Sequence, residues 1–170
     1  MQFRVNQAIR VPREAVEAAF CDPDFYGALG DIEVLAPPQV VSRHEDPDDP
    51  QVVHLRVAYA FTGHLAAPVR AVIDPAKVTW VDHMLVDRGR HCLTFQMVPD
   101  HYRDRVRCSG TARFEVDGAD PGTTHQVMSG EVQIAYPLVG ALVERGIVVG
   151  LGQHLGEEAR ILERWCASTG

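Results

Sequence analysis

The order of apolar patterns along the chain constrains its fold more than any other feature. Alternating apolar residues, typical of strands, occupy most of the first 136 residues, with one short helical stretch near the start. Residues 137–168 then form one helical pattern whose single proline, Pro137, stands at its beginning. A long helix has to bury its apolar side against the strands. The order therefore predicts an α+β fold in which a sheet grips a C-terminal helix, a shape that tends to enclose a pocket.

The first 50 residues predict a strand, a helix and a second strand. Phe3, Val5 and Ile9 alternate with polar residues as in a half-buried strand, and a helix follows from Pro12 until Asp22-Pro23 stops it. Another helical turn spans residues 25–29. Residues 32–43 predict a strand that Pro37-Pro38 interrupts, and the acidic residues 44–50 predict a turn.

The middle of the chain predicts a series of hairpins. Residues 53–61 alternate most clearly, with Val57, Tyr59 and Phe61 on the apolar face, and residues 64–76 predict a short helix or loop. A strand at 78–86 is followed by a turn at 87–90. Pairing across this turn places six inner side chains on one face, Trp80, Asp82, Met84, Leu93, Phe95 and Met97.

The apolar faces of the last two strands predict how these strands pair. Residues 106–116 have an apolar face that includes Phe114, and the partner strand offers Met128, Ile134 and Tyr136. A slip of one residue would reverse every side chain, so only an odd number of loop residues around Asp117 to Pro121 aligns the two apolar faces.

Four glycines crowd the middle of the predicted C-terminal helix: Gly146, Gly150, Gly152 and Gly156. An interior glycine costs about 0.5–1 kcal/mol relative to alanine, so these positions need a physical reason. Close approach of the helix to the sheet, a kink, or space left for a ligand would each provide one.

Composition restricts the function classes. The 170 residues predict one domain covering the whole chain, and the net charge of −7, without any basic cluster, argues against a nucleic-acid partner. Four scattered cysteines and an N-terminus without a leader pattern predict a reduced, cytoplasmic protein. The most apolar window, residues 132–151, is too interrupted to span a membrane. Fifteen arginines against one lysine suggest a bacterial genome rich in G and C.

The order of elements and three segments, AFCDPDFY (19–26), CSGTARFEV (108–116) and GEVQIAYPLVGALVE (130–144), resemble the START-like, or SRPBCC, superfamily and most closely a bacterial branch without an assigned function. The resemblance implies a helix-grip fold, in which a curved antiparallel sheet of six to seven strands wraps around a long C-terminal helix. It also implies a hydrophobic ligand cavity between sheet and helix. Members of the superfamily carry lipids, bind hormones, cyclise polyketides or regulate chaperones, so the fold alone does not select a function.

Asp82 is the sharpest candidate for a site residue. Its expected neighbours Trp80, Met84 and Phe95 would desolvate the carboxylate and raise its pKa toward values useful for proton transfer. The alternative is a register shift or bulge that turns Asp82 toward water. Tyr59 and Tyr136 could offer hydroxyls to a ligand, or could be core residues with locally satisfied hydroxyls.

The eight histidines show no compact ligand spacing such as HExxH, so no metal and no other cofactor is expected. The sequence also lacks the GxSxG motif and any phosphate-binding loop. Whether the protein is an enzyme stays open at this point, and a homodimer stays open as well.

Three functions fit these patterns. The first is a carrier or binder of a small hydrophobic molecule of lipid, polyketide or isoprenoid type; the second is a polyketide cyclase- or dehydratase-like enzyme with Asp82 as acid or base; the third is a protein-interaction module with a filled core. The expected ligand-binding residues are Val57, Tyr59, Phe61, Trp80, Asp82, Met84, Phe95, Met97, Phe114, Met128, Ile134, Tyr136, Ile147 and Leu151.

Overall fold

The elements follow the order expected from the sequence in a computed structural model that describes residues 1–169. Seven strands and four helices have the following bounds: β1 (Gln2–Ile9), α1 (Arg13–Cys21), α2 (Pro23–Ala28), β2 (Gln39–Glu45), β3 (Val52–Ala60), α3 (Ala67–Arg70), β4 (Thr79–Asp87), β5 (Cys92–Pro99), β6 (Val106–Val116), β7 (Thr124–Ile134) and α4 (Gly140–Thr169).

The seven strands form one antiparallel sheet in the order β1-β7-β6-β5-β4-β3-β2. Each strand from β2 to β6 pairs with the next one along the chain, and β1 pairs with the other edge of β7. The sheet and the long helix α4 confirm the predicted helix-grip architecture.

The hairpin between β6 and β7 confirms the predicted parity of its loop. Val116 pairs with Thr124, which leaves seven loop residues, an odd number. Cys108 opposite Val132 and Ala112 opposite Met128 then lie on one buried face. This parity aligns the apolar faces because side chains alternate with a period of two.

The pairing register between β4 and β5 differs from the expected register by two residues. The predicted turn at 87–90 is wrong, because β4 continues to Asp87 and the loop runs from Arg88 to His91. Asp82 therefore faces Met97, and Met84 faces Phe95. A shift of two residues leaves all six predicted inner side chains on one face, whereas a shift of one would have turned them outward.

Two other predicted boundaries are wrong. The second strand begins only at Gln39, after the two prolines, because each proline lacks an N–H for the ladder. The final helix begins at Gly140 rather than at Pro137, because Leu138 has a left-handed backbone with φ of 69° that interrupts helical geometry.

The two short helices after β1 close one end of the sheet. Asp22 ends α1 and caps α2, since its Oδ1 accepts a 3.0 Å hydrogen bond from the N–H of Asp24. Phe20 on α1 stacks on Phe114 of β6, and Phe25 on α2 packs edge-on against Trp165 of α4. These contacts build the core at the C-terminal end of α4.

Helix α4 packs chiefly against β1, β7, α1 and α2. Its C-terminal half, residues 155–169, contributes the buried Leu155, Ala159, Ile161 and Leu162. Its N-terminal half, residues 140–154, is largely half-buried or exposed, and Glu144 anchors it by accepting a 2.9 Å hydrogen bond from the N–H of Ile134. No helix among residues 1–169 combines the length and apolar content needed to cross a membrane.

Candidate functional site

A cleft of about 480 Å³ opens between the N-terminal half of α4 and the segment that follows β3. Its walls are largely apolar, and a few charged or polar side chains lie among them. The lining residues are Val34, Phe61, Gly63, His64, Leu142, Arg145, Gly146, Val149, Gly150, Gln153, His154 and Glu157. The volume lies within the range of small-molecule sites, about 300–1,000 Å³.

The glycines of α4 face open space instead of a close neighbour. A Cβ atom placed on Gly146, Gly150 or Gly152 would meet no atom within 4 Å, and one on Gly156 would meet only the Gln7 side chain at 3.7 Å. Two of these residues, Gly146 and Gly150, line the cleft. Of the three reasons considered for the glycines, the geometry supports space, and close packing on the sheet does not account for them.

The inner face of β3, β4 and β5 is only partly shielded. Tyr59, Trp80, Asp82, Phe95 and Met97 project from this face and are all half-buried. The rings of Tyr59 and Trp80 stack across the two strands with centroids 5.5 Å apart. Inner-face residues at the centre of a sheet are usually fully buried, so their partial exposure indicates incomplete filling between sheet and helix.

Asp82 carries a carboxyl group in surroundings that disfavour its charge. Burial raises the pKa of Asp82 from its ordinary 3.8 to about 7, and the indole N–H of Trp80 and the imidazole of His154 offset only part of this effect. Asp82 Oδ1 and Trp80 Nε1 are shielded from solvent, and neither makes a hydrogen bond of normal geometry within residues 1–169. The carboxyl therefore lies ready to take up a proton or a partner near neutral pH.

Opposite the sheet, α4 presents a second polar group to the interior. His154 Nε2 lies 3.7 Å from Glu158 Oε2, one helical turn away, and Gln126 Nε2 of β7 donates to Glu158 Oε1 at 3.4 Å. Burial disfavours the imidazolium, but Glu158, Glu157 and Asp82 outweigh that effect and raise the pKa of His154 above 6.5. His154 and Asp82 each shift the other's pKa, so they share one electrostatic environment.

Several buried polar atoms on the inner face of the sheet and on α4 have no hydrogen-bond partner. Of the five buried side-chain nitrogen and oxygen atoms without a partner in residues 1–169, four belong to inner-face or α4 residues: Trp80 Nε1, Asp82 Oδ1, Gln126 Oε1 and His154 Nδ1. Buried polar groups are normally hydrogen-bonded, and an unpartnered one costs about 1–3 kcal/mol. A ligand with polar groups would gain binding energy by pairing with such atoms.

The structure divides the residues that the sequence suggested as ligand contacts. Val57 and Phe114 are 0% and 2% exposed and belong to the packed core. Tyr136 lies beyond the end of β7, beside Tyr102 and under the Arg105 guanidinium. It therefore does not join Asp82. Of the suggested set, only Phe61 lines the cleft itself.

The remaining suggested residues fall into two groups. Met84, Met128 and Ile134 are buried in the core, whereas Ile147 and Leu151 of α4 are half-buried and pack against it. Tyr59, Trp80, Asp82, Phe95 and Met97 form the half-buried inner face described above.

Sequence reasoning missed His154 and Glu158. Both lie on the helical stripe that contains Leu151, Leu155 and Leu162. The missed signal was a histidine and a glutamate four residues apart on the apolar side of an amphipathic helix, where polar residues need partners.

Other histidines pair with carboxylates away from the cleft. His54 contacts Asp46 at 3.0 Å, His125 contacts Asp117 at 2.9 Å, and His91 Nδ1 lies 2.8 Å from the buried Glu17. The first two pairs join a strand to its own turn. The His91 pair joins the β4–β5 hairpin to α1. Within the described chain, no three histidine, cysteine or acidic side chains converge as metal ligands would.

Comparison with known families now adds to this geometry. Residues 4–166 match the model of a family described as a protein of unknown function, DUF2505. The chain belongs to the DUF2505 family. No curated protein matches it significantly in sequence.

Three solved structures are similar to this DUF2505 protein over nearly the whole chain. Norcoclaurine synthase from Thalictrum flavum has a TM-score of 0.64 at 15% identity, covering 97% of this chain and 85% of that one. A START superfamily protein from Mycobacterium smegmatis has a TM-score of 0.59 at 13% identity, covering 99% of each chain. The Zhui aromatase/cyclase from Streptomyces sp. R1128 has a TM-score of 0.56 at 13% identity, covering 98% and 93%. At these identities the likeness establishes the START-like helix-grip fold alone.

Proposed function

We propose that this DUF2505 protein binds or carries a small hydrophobic molecule of lipid, polyketide or isoprenoid type between its sheet and α4. The observation that carries the proposal is the cleft of about 480 Å³ along the N-terminal half of α4. The fold supports it, because a START superfamily protein, a norcoclaurine synthase and an aromatase/cyclase share the architecture.

The apolar walls supply a moderate driving force. Burying about 200 Å² of apolar ligand surface contributes about 5 kcal/mol before the entropic cost of binding. Even without that cost, about 5 kcal/mol corresponds to a Kd of only about 0.2 mM, so apolar contact alone gives weak binding. Tighter binding needs polar contacts as well, and the unpartnered atoms of the interior offer them.

Mass spectrometry of the organic extract from natively purified protein tests the proposal. The matched pair is Gly150→Leu, which would fill the cleft, and Gly152→Leu, two residues along the same helix but outside the lining. Open space surrounds a Cβ at both positions, so neither first side-chain atom meets an obstacle.

We expect a near-stoichiometric apolar compound with the wild-type protein and with Gly152→Leu, and a strongly reduced amount with Gly150→Leu. An unrelated protein purified in the same way is the background control. Equal amounts in both variants would contradict the cleft as the binding site.

A second function, an enzyme of the cyclase or dehydratase kind, is favoured by one specific observation. The pKa of Asp82, raised to about 7 by burial, is close to the value that suits a general acid or base at neutral pH. Burial and the Asp82 charge raise the pKa of Tyr59 well above 10, so its hydroxyl stays protonated and could donate to a carbonyl. With a reactive ligand in hand, Asp82→Asn should abolish turnover while binding persists.

Cytoplasmic residence is part of the same proposal. All four cysteines, Cys21, Cys92, Cys108 and Cys166, are unpaired thiols, and burial raises the pKa of each. Unpaired thiols that resist ionisation are stable in a reducing compartment. Thiol titration of protein purified without reductant should find four free thiols.

A further inference from the structure

Asp82 is an inner-face carboxylate that has no cation beside it within residues 1–169. No basic side chain among residues 1–169 comes within ion-pair distance of it, and its cross-strand neighbours are Val57 on β3 and Met97 on β5. The stacked rings of Tyr59 and Trp80 lie two residues along the strands on the same face. Its surroundings are thus apolar and aromatic, apart from the single indole N–H.

The basic group that acts on Asp82, the His154 imidazole, directs its Nε2 at Glu158 and leaves its Nδ1 without a partner. The His154 imidazole lies against Glu158, and Glu157 one turn away adds a second carboxylate. Glu158 is 7% exposed and makes its other contact with the neutral Gln126 amide. The interior therefore holds two carboxyl groups, Asp82 and Glu158, and a single imidazole, His154, to pair with them.

We propose that this interior recognises a protonated amine: the bound molecule has an apolar body that occupies the cleft and one amino group that pairs with Asp82 beside the Tyr59 and Trp80 rings. This inference rests on the proposed binding function, since it specifies the polar group of the ligand.

Three features of an ammonium group match the site. Its positive charge compensates the carboxylate that the protein leaves unpaired, its N–H groups donate to the unpartnered Oδ1 of Asp82, and aromatic faces attract cations. A hydroxyl group of the same size would supply a hydrogen bond without the charge. A carboxylate would be repelled by Asp82 and Glu158. The expected order of affinity is therefore amine, alcohol, acid.

Isothermal titration calorimetry with octylamine, octanol and octanoate tests this order, since the three probes share one alkyl chain and differ in the polar group. At about pH 8, above the pKa of Asp82, we expect octylamine to bind about tenfold or more tighter than octanol, and octanoate to bind weakest. In Asp82→Asn the preference for octylamine over octanol should fall to about twofold or less.

Glu157→Gln tests the alternative position of the amino group, because Glu157 is an exposed carboxylate at the mouth of the cleft. Glu115→Gln is the matched control, because it removes an exposed carboxylate from β6, outside the cleft lining, and leaves Asp82 in place. It should keep the preference for octylamine. Circular dichroism checks that each variant is folded, and an unfolded Asp82→Asn would be replaced by Asp82→Ser.

The outcomes separate this inference from the proposed function. If octanol binds as tightly as octylamine, and Gly150→Leu abolishes the binding of both, the cleft binds ligands but the amine inference is overturned. A preference that survives Asp82→Asn and disappears in Glu157→Gln overturns it too, because the amino group would then lie at the mouth. If none of the three probes binds, the proposed function fails together with the inference.

Discussion

The C-terminal half of α4 is packed into the core, whereas the N-terminal half has one side open to the cleft. Leu155 and Leu162 are 1% and 0% exposed, but Leu142 and Val149 of the other half are 42% and 64% exposed. All interior glycines of the helix except Gly156 belong to the N-terminal half. One continuous helix therefore combines a half that stabilises the fold with a half that forms one wall of the cleft.

The difference shows that the N-terminal half of α4 is less stabilised by packing and leaves the cleft open. A helix packed evenly on its sheet would have large apolar residues where Gly146 and Gly150 stand. Each of these glycines weakens the helix by about 0.5–1 kcal/mol, and neither is required by a close neighbour. Removing bulk at these positions keeps the cleft open.

The largest expected difference in stability is between alanine substitutions of two leucines in α4. Leu162→Ala removes a fully buried side chain and should lower the free energy of unfolding by about 2–5 kcal/mol. Leu142→Ala removes a side chain at the cleft rim and should change it by about 0.5 kcal/mol or less. Chemical denaturation of both variants measures the difference, and similar losses would break the comparison between the two halves.

The pH dependence of stability tests the surroundings of Asp82, which lies on the inner face of the sheet. The folded protein holds the Asp82 proton with a pKa of about 7, against 3.8 when exposed, so the native state binds more protons between these values and loses stability as the pH rises through them. At about 1.36 kcal/mol per pKa unit, this loss amounts to at most about 4 kcal/mol.

Denaturation of the wild-type protein and of Asp82→Asn at a series of pH values measures this contribution. The difference between the two curves should change between about pH 4 and pH 7 and be flat above that range. Parallel curves would mean that Asp82 is solvated, which would weaken both the electrostatic argument and the enzyme hypothesis.

The smallest effects sharpen the comparison within the N-terminal half. Gly146→Ala and Gly150→Ala should each raise the free energy of unfolding by about 0.5–1 kcal/mol, because the added Cβ meets no neighbour. Gly140→Ala should instead destabilise the protein, since its Cβ would collide with the Ile134 carbonyl oxygen. Thermal melts of the three variants test this pattern. If Gly150→Ala destabilised the protein, the space beside Gly150 would not be open.

The sequence predicted the faces of the sheet better than its boundaries. The side-chain period of two placed Trp80, Asp82 and Phe95 on the inner face even though the turn of their hairpin is displaced, because a two-residue shift preserves the face. The start of α4 is set by the left-handed backbone of Leu138. That conformation is typical of glycine, so a leucine in the sequence does not predict it.

The site was less predictable because it depends on distances between elements. Alternation shows that a face is buried, but it does not distinguish the packed Val57 and Phe114 from the half-buried Tyr59 and Met97. Packing between distant parts of the chain makes that difference, as where Phe20 of α1 stacks on Phe114 of β6.

Titration of ¹⁵N-labelled protein with octanol, followed by amide chemical shifts, tests the central claim most directly. We predict saturable shifts confined to the cleft, at Gly63, Gly146, Val149, Gly150 and His154, with little change at Leu162 or Trp165. Shifts centred on the C-terminal half of α4 or on the outer face of the sheet, or no saturable shifts at all, would contradict the assignment of this cleft as the binding site.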